Sequence, residues 1–146
     1  MKYFLIISAF LSIIIQSCED EDRNVKSMNF RFFVKNESLR NLTIYFYYPN
    51  NDLYKQISIS SNDSTIVDEG NISPVGGSTF SLTNSLDSAI ILFADGKKLI
   101  QTFYERGNND TINNVLSSMH YKSLTPNESI KNQLFILTEN DYLRAK

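Results

Sequence analysis

The sequence predicts an all-β protein in which about seven short strands form a single sandwich. Apolar and polar residues alternate with a period of two along much of the chain after residue 27. The alternating runs are rich in β-branched and aromatic residues, which favour strands. Polar turn residues interrupt these runs about every eight to twelve residues, a spacing that is typical of small β-domains.

The first half of the chain gives the clearest strands. Residues 28–34 place an apolar side chain at every second position, and residues 42–48 do the same with added aromatic residues. Residues 49–52 read Pro-Asn-Asn-Asp, which is typical of a turn, so residues 42–48 are expected to pair with residues 53–59 as a hairpin. A shorter strand is expected at residues 65–68.

Three further strands are expected in the second half. Residues 88–93 are almost entirely apolar, which predicts a buried strand after a Pro- and Gly-containing loop at residues 74–77. The Asp-Gly pair at residues 95–96 is a strong hairpin signal and turns this strand into the next, at residues 98–104. Residues 133–137 are expected to form the last strand.

Two segments between these strands are less regular. Residues 111–121 fit either a short helix or irregular structure, because their apolar residues recur at helical spacing. Those apolar residues are Ile112, Val115, Leu116 and Met119. Residues 122–131 are polar and contain Pro126, which indicates a loop.

The chain ends in a predicted helix of about two turns. Thr138 is expected as its N-cap, with Asp141 at the third helical position as a variant of the capping box. Leu137 and Tyr142 have the spacing of a hydrophobic staple. The leading arrangement for residues 28–146 is an immunoglobulin-like or transthyretin-like Greek-key sandwich with this short C-terminal helix, and a small β-barrel is the alternative.

Residues 1–17 have the features of a secretory signal peptide. Lys2 gives a positive start, and residues 3–15 form an apolar run that only two serines interrupt. A helix of that length spans about 20 Å, which is too short for the roughly 30 Å hydrocarbon core of a membrane. A short apolar segment after a positive start is typical of a cleaved export signal.

Residues 15–18 read Ile-Gln-Ser-Cys and resemble a lipobox, with an aliphatic residue three positions before the cysteine and a small residue one position before it. Gln16 departs from the small residue that is usual at the middle position. The resemblance implies that Cys18 carries diacylglycerol on its sulfur and becomes the acylated (for example, palmitoylated) first residue of a lipoprotein. Cys18 is also the single cysteine, which excludes an internal disulfide and a multi-cysteine metal site.

Four acidic residues follow this cysteine and belong to an expected tether over residues 18–27. They are Glu19, Asp20, Glu21 and Asp22. The run resembles the signal that sends Bacteroidota lipoproteins to the outer face of the outer membrane, which implies a location on the cell surface. A run of like charges also suits a solvated, extended tether, and that alternative stays open.

Three stretches of the remaining chain carry a further resemblance. Residues 33–38 read Phe-Val-Lys-Asn-Glu-Ser, residues 87–97 contain Asp-Ser-Ala-Ile-Ile-Leu-Phe followed by Asp-Gly-Lys, and residues 137–142 read Leu-Thr-Glu-Asn-Asp-Tyr. Together they resemble a broad class of small, uncharacterised Bacteroidota lipoproteins. This resemblance supports the anchor and the fold, and it implies no particular activity.

No combination of residues predicts catalysis, so we expect neither enzyme activity nor a cofactor or metal. His120 is the only histidine, and it lacks both the motif of a nucleophilic triad and the partners of a zinc site. Asp68 and Glu69 leave a carboxylate-pair hydrolase as a minor alternative, although a solvated turn before Gly70 explains them more simply. The basic residues are scattered and the net charge is −2, which argues against a nucleic-acid partner.

Tyrosines on two paired strands form the best candidate for a binding surface. Tyr45 and Tyr47 are expected on one face of a strand, and Tyr54 is expected on its hairpin partner. Such a platform binds proteins or sugars, whereas cross-strand packing within the sandwich is the structural alternative. The leading hypothesis is a membrane-anchored, non-catalytic module that binds another macromolecule. An accessory carbohydrate-binding protein of a glycan-uptake system is the alternative.

Two hydroxyl residues are candidate modification sites. Ser64 and Thr111 each follow an aspartate, in tripeptides that resemble the O-glycosylation pattern of exported Bacteroidota proteins. Ser88 has the same context, but it begins a strand that is expected to be buried.

Overall fold

The structure, a computed structural model, describes residues 28–72, 85–103, 112–124 and 130–146. The signal-peptide and tether predictions, with Cys18 and the acidic run, lie outside these residues. Within them the chain forms strands and a short C-terminal helix. In chain order these are β1 (Met28–Asn36), β2 (Leu42–Tyr47), β3 (Leu53–Ile59), β4 (Ser64–Ile72), β5 (Ser88–Phe93), β6 (Lys98–Thr102), β7 (Lys122–Ser123), β8 (Ile130–Leu137) and α1 (Glu139–Arg144).

The strands form two four-stranded sheets, which confirms the predicted all-β sandwich. The first sheet has the order β4-β1-β8-β7 and the second has the order β3-β2-β5-β6. The β1–β8 pair is parallel, and the other pairs are antiparallel. β4 returns to lie beside β1, whereas β2 and β3 lie together in the other sheet. No strand pair of the described chain joins one sheet to the other, so the alternative of a closed barrel is not formed.

The core lies between the sheets and is built by the alternation seen in the sequence. Every second residue of β2 is buried, and β5 alternates in the same way. The largest fully buried apolar side chains are Phe46, Phe93, Phe135, Ile44, Leu86, Ile91, Leu116, Leu137, Val34 and Val67. Each side chain of this size contributes about 1.5–3 kcal/mol when it is removed from water.

Two strands are longer than the sequence predicts. β4 extends to residue 72 because it pairs with β1 along nearly all of that strand, so Asp68 and Glu69 lie within a strand and not in a turn. β8 begins at Ile130, in a stretch predicted as loop, because residues 130–132 pair with residues 29–31 of β1. The loop prediction is also wrong at β7, which pairs with residues 133–134. Residues 69–72 and 130–132 are mostly polar and pair with the distant strand β1, so local patterns do not reveal these pairings.

Residues 112–121 are irregular and not helical, apart from a short 3-10 turn at Ser118–His120. The side chain of Gln101, buried in β6, holds this segment. Its amide nitrogen donates to the carbonyl of Asn113 at 2.7 Å, and its amide oxygen accepts from the N–H of Val115 at 2.8 Å. Gln101 therefore satisfies backbone groups that a helix would otherwise pair internally.

The predicted C-terminal helix is present as α1, and it is six residues long. Oδ2 of Asp141 accepts hydrogen bonds from the backbone N–H of Thr138 at 2.8 Å and from its hydroxyl at 2.9 Å. Leu137 and Tyr142 are both buried, as a hydrophobic staple requires. In the described residues, no helix combines the length and the apolar character needed to cross a membrane.

Candidate binding surface

The side of the second sheet that faces away from the core is a continuous surface, which we call the outer face. Its residues alternate with the buried ones along each strand and are paired across the sheet. They are Thr43, Tyr45, Tyr47, Leu53, Gln56, Ser58, Ser88, Ile90, Leu92, Lys98, Ile100 and Thr102. Of these twelve residues only Lys98 is charged.

An apolar row crosses the middle of the outer face. Tyr45 pairs with Gln56 on one side and with Ile90 on the other, and Ile90 pairs with Ile100 on the edge strand β6. Ile100 is 59% exposed, and Leu53 at the opposite edge is 52% exposed. Large aliphatic side chains are therefore presented to solvent at both edges of the sheet.

The composition of β5 explains why the outer face is partly apolar. Ala89, Ile91 and Phe93 point into the core, whereas Ile90 and Leu92 lie on the outer face and are partly exposed. A continuous apolar run is typical of a strand that is covered on both faces. In this structure only the inward-facing residues of the run are buried, as the sequence predicts, and the other two remain partly exposed.

The structure brings together two of the three predicted platform tyrosines. Tyr45 and Tyr47 lie on the outer face, as predicted. A register shift between Phe46 and Tyr47 pairs Tyr47 with Leu53 and leaves Tyr54 outside the outward-facing set. The ring of Tyr54 packs edge-on against that of Tyr48, with centroids 5.3 Å apart, beside the hydrophobic core. Tyr54 therefore takes the packing role that was the alternative.

A shallow cavity of about 450 Å³ lies at one end of the outer face. Thr43, Ser58 and Leu92 of the outer face line it, together with the neighbouring turn residues Asn41 and Gly96. The hydroxyls of Thr43 and Ser58 are 3.1 Å apart and hydrogen-bonded. The outer face thus joins an aromatic and aliphatic centre to a rim of small polar groups.

A second cavity, of about 430 Å³, lies where α1 meets the first sheet, and we call it the polar cleft. Its lining is mostly polar and includes Glu37, Asn113, His120, Lys122, Asn140 and Arg144. Nδ1 of His120 accepts a hydrogen bond from the N–H of Asn114 at 2.9 Å. This bond places the proton of a neutral imidazole on Nε2 and gives His120 a structural partner in the backbone.

Asp68 and Glu69 do not form a carboxylate pair. Glu69 lies on the outer side of the first sheet, where its carboxylate is 3.5 Å from Arg31. Asp68 pairs with the inward-facing Phe32 and is 8% exposed. Burial raises the pKa of Tyr121, and the nearby charge of Asp68 raises it further. In the described residues no group of three or more His, Cys, Asp or Glu side chains is placed to hold a metal.

The three sequence stretches that carry the resemblance meet at one end of the sandwich. Arg40, just after the first stretch, bonds to Glu139 at 2.8 Å and lies over the ring of Tyr142 at 3.6 Å. The hydroxyl of Tyr142 donates to Asp95 at 2.7 Å. This hydrogen bond is the main cause that lowers the pKa of Asp95, and the Lys97 N–H and the Arg40 charge lower it further against the opposing effect of desolvation. These contacts fix α1 to the sheet ends.

Ser64 is exposed at the start of β4, and its N–H is held by the side chain of Asp63 at 2.7 Å. Its hydroxyl is therefore accessible to a modifying enzyme. Thr111 lies outside the described residues.

Comparison of the chain with protein-family models, with curated proteins and with solved structures finds no match.

Proposed function

We propose that this protein is a lipid-anchored lipoprotein of the cell surface whose β-sandwich is a non-catalytic binding module. The observation that carries the proposal is the outer face, where a partly exposed row of Tyr and Ile side chains is almost free of charge. In this proposal the module binds a protein partner, either a host or matrix component or a neighbouring outer-membrane protein.

The composition of the outer face supports a protein partner. The buried centres of protein interfaces are depleted in charged residues and enriched in aromatic ones. Tyrosine is also over-represented among residues that dominate binding energy, because its ring supplies area and its hydroxyl supplies a polar contact. Tyr45 and Tyr47 provide both, and Lys98 is the single charge on this surface.

The size of the outer face limits the strength of binding. Four strands about 4.8 Å apart and five residues of about 3.3 Å each give a rectangle of roughly 19 by 17 Å, or about 320 Å². A standard interface buries about 800 Å² on each partner. The outer face therefore suits a weak contact with a small element of its partner. Several anchored copies on one membrane would strengthen such a contact through avidity.

The anchor and the tether support the location. A single acyl chain holds a protein only marginally, at about 0.8 kcal/mol per buried CH₂, whereas the two or more chains implied at Cys18 hold it stably. The acidic run after Cys18 supports export to the outer leaflet. In this arrangement the tether gives the sandwich room to turn its outer face toward a partner.

The geometry of the titratable residues supports a non-catalytic role. Asp68 and Glu69, which motivated the hydrolase alternative, lie on opposite sides of β4. Two carboxylates that act on one glycosidic bond need to line the same cleft within about 10 Å. His120 is held by the backbone of Asn114.

A pull-down from detergent-solubilised cells tests the proposal. The wild-type protein is expected to retain a reproducible protein partner, and Tyr45→Ala is expected to lose it. Arg31→Ala, on the outer side of the first sheet, is the matched control and should retain it. Recovery of no partner by the wild type, or equal recovery by Tyr45→Ala, would contradict the proposal.

A second candidate function is the capture of glycans, as in an accessory protein for glycan uptake. Tyr45 and Tyr47 lie two residues apart on a flat face, close to the hydrogen-bonded hydroxyls of Thr43 and Ser58. Retardation of the wild type in polysaccharide affinity gels, lost in the Tyr45→Ala/Tyr47→Ala double variant but kept in Tyr54→Ala, would support it. Absence of retardation of the wild type would reject it.

A further inference from the structure

We propose that the polar cleft binds a small ligand through the ligand's carboxylate group. This site is separate from the outer face and does not depend on the function proposed for that face. Its volume of about 430 Å³ lies within the range of small-molecule sites, roughly 300–1,000 Å³. The cleft is formed by the end of β8, α1, the segment before β7 and β7 itself.

The side chain of Arg144 is held in place by contacts with Asp141 and Asn113. Nη2 of Arg144 donates to Oδ1 of Asp141 at 2.6 Å and lies 3.4 Å from the carbonyl of Asn113. Asp141 is only 2% exposed, and its other oxygen accepts from Asn113 and Thr138. Each group is therefore fixed by the next, so the guanidinium plane has little freedom to lose when a ligand binds.

Arg144 has further hydrogen-bond donors that no described residue uses. Nε and Nη1 form no hydrogen bond or ion pair in the described part of the chain, and the side chain is 37% exposed in the wall of the cleft. Each of these nitrogens is a charged donor, and a hydrogen bond from a guanidinium to a carboxylate is roughly twice as strong as one between neutral groups.

The balance of charge in the cleft favours an anionic ligand. The carboxylate of Asp141 is neutralised by Arg144, and that of Glu37 is bonded to Lys35 at 2.8 Å. Lys122 also lines the cleft and is exposed, and it has no ion-pair partner among the described residues. Because both acids are engaged, Lys122 contributes a positive charge to the cleft lining that no described acid balances.

The remaining lining residues indicate which other groups of a bound ligand the cleft would contact. The side chains of Asn140 and His120 offer further polar groups, and Ile136 is the apolar residue of the wall. Among the described residues that line the cleft there is no Phe, Tyr or Trp ring on which a neutral sugar would stack. An acidic sugar and a peptide with a free C-terminus share the required carboxylate, so both are sources to be distinguished by experiment.

The test is an NMR titration of the ¹⁵N-labelled full-length chain in detergent. The probes are glucuronate with glucose as its neutral counterpart, and N-acetylalanine with N-acetylalaninamide as its neutral counterpart. We expect saturable shifts of the Lys122, Asn140 and Arg144 amides with a carboxylate probe and not with its neutral counterpart. Shifts with glucuronate alone identify an acidic sugar, and shifts with N-acetylalanine alone identify a peptide terminus. Shifts with both leave the carboxylate as the shared determinant and also support the proposal.

Two variants separate binding from folding. Arg144→Gln is expected to weaken binding of the active probe about tenfold or more, because it removes the charged donors. Arg31→Gln, whose partner Glu69 lies on the other edge of the first sheet, is the control and should bind as the wild type does. If Arg144→Gln does not fold, Lys122→Gln on the exposed β7 provides the same test. Shifts that are equal for a neutral counterpart, that survive both cleft variants or that are absent with every probe would overturn the proposal.

Discussion

The hydroxyl of Tyr142 donates a 2.7 Å hydrogen bond to Oδ2 of Asp95, a residue 47 positions earlier in the chain. The ring of Tyr142 also packs edge-on against Phe93, with centroids 5.2 Å apart, and lies under the guanidinium of Arg40. Tyr142 thus connects α1 to Phe93 in the core and to the charged side chains of Asp95 and Arg40. The position of α1, and with it one wall of the polar cleft, depends on this residue.

Tyr142→Phe should raise the pKa of Asp95 toward its ordinary value, because the hydroxyl is the main group that lowers it. NMR titration of the Asp95 carboxyl measures this change. Tyr47→Phe, on the outer face, is the control and should leave the pKa unchanged. A pKa that is the same in Tyr142→Phe and the wild type would contradict the assignment of this hydrogen bond.

The same contact predicts a pH dependence of stability. Because the pKa of Asp95 is lower in the folded state, the ionised carboxylate stabilises the fold at pH values above its unfolded-state pKa, near 4. This contribution is lost as the pH falls through the folded-state pKa. The free energy of unfolding, measured by denaturant titration, should therefore decline less steeply below about pH 4 in Asp95→Asn than in the wild type. Parallel declines in the two proteins would contradict this prediction.

Asn36 should be the polar residue whose loss destabilises the fold most. Its side chain is fully buried, and its amide nitrogen donates to the carbonyls of Arg40 at 2.7 Å and Ser60 at 3.1 Å. Its amide oxygen accepts from the N–H of Ser38 at 3.0 Å and from the Ser38 hydroxyl at 2.7 Å. Each buried group left unsatisfied costs about 1–3 kcal/mol, so Asn36→Ala should lower the free energy of unfolding by about 3 kcal/mol or more.

Denaturant titration measures this loss. Asn29→Ala, at an exposed position of the same strand, is the control and should change the stability by less than about 0.5 kcal/mol. A loss below about 1 kcal/mol for Asn36→Ala would show that water replaces the bonds of this side chain.

Substitution of Gly96 tests backbone strain without a steric clash. Its φ is 92°, and an added Cβ would meet no atom within 4 Å. The cost of Gly96→Ala is therefore conformational alone, about 1–2 kcal/mol. Gly96→Asn should cost less, since asparagine tolerates positive φ better. Thermal unfolding of the two variants checks this order, and equal midpoints for Gly96→Ala and the wild type would contradict the turn geometry.

Much of this fold could be predicted from local patterns. Alternation located β2, the turn at residues 49–52 located its hairpin partner β3, and the Asp-Gly pair located the turn between β5 and β6. The capping pattern at Thr138 located α1. Non-local features could not be predicted, because nothing near residues 130–132 reveals that they pair with β1.

The candidate binding surface could likewise be predicted only in part, because some of its residues meet only through strand pairing. Tyr45 and Tyr47 follow the period of two, so their shared face is confirmed. Tyr54 was displaced by a register shift that has no signature in the sequence. Ile100 and Ile90 join the tyrosines only through strand pairing, and Arg144 lines the polar cleft because α1 begins directly after β8.

The proposed lipid anchor at Cys18 yields a prediction that is independent of the sandwich. Cys18→Ser should abolish the incorporation of labelled palmitate and release the protein from the membrane fraction. Protease treatment of intact cells should digest the wild type while a periplasmic control protein survives. Survival of the wild type until the outer membrane is permeabilised would place the sandwich in the periplasm and leave the acidic run as a tether only.

The most direct test of the central claim is photo-crosslinking from the outer face in living cells. A photo-crosslinking amino acid in place of Ile100 should give a discrete adduct with a protein partner, because this side chain is 59% exposed at the edge of the apolar row. The same amino acid in place of Asn29, on the outer side of the first sheet, should give none. No adduct from position 100, or equal adducts from both positions, would contradict the claim that the outer face is a binding surface.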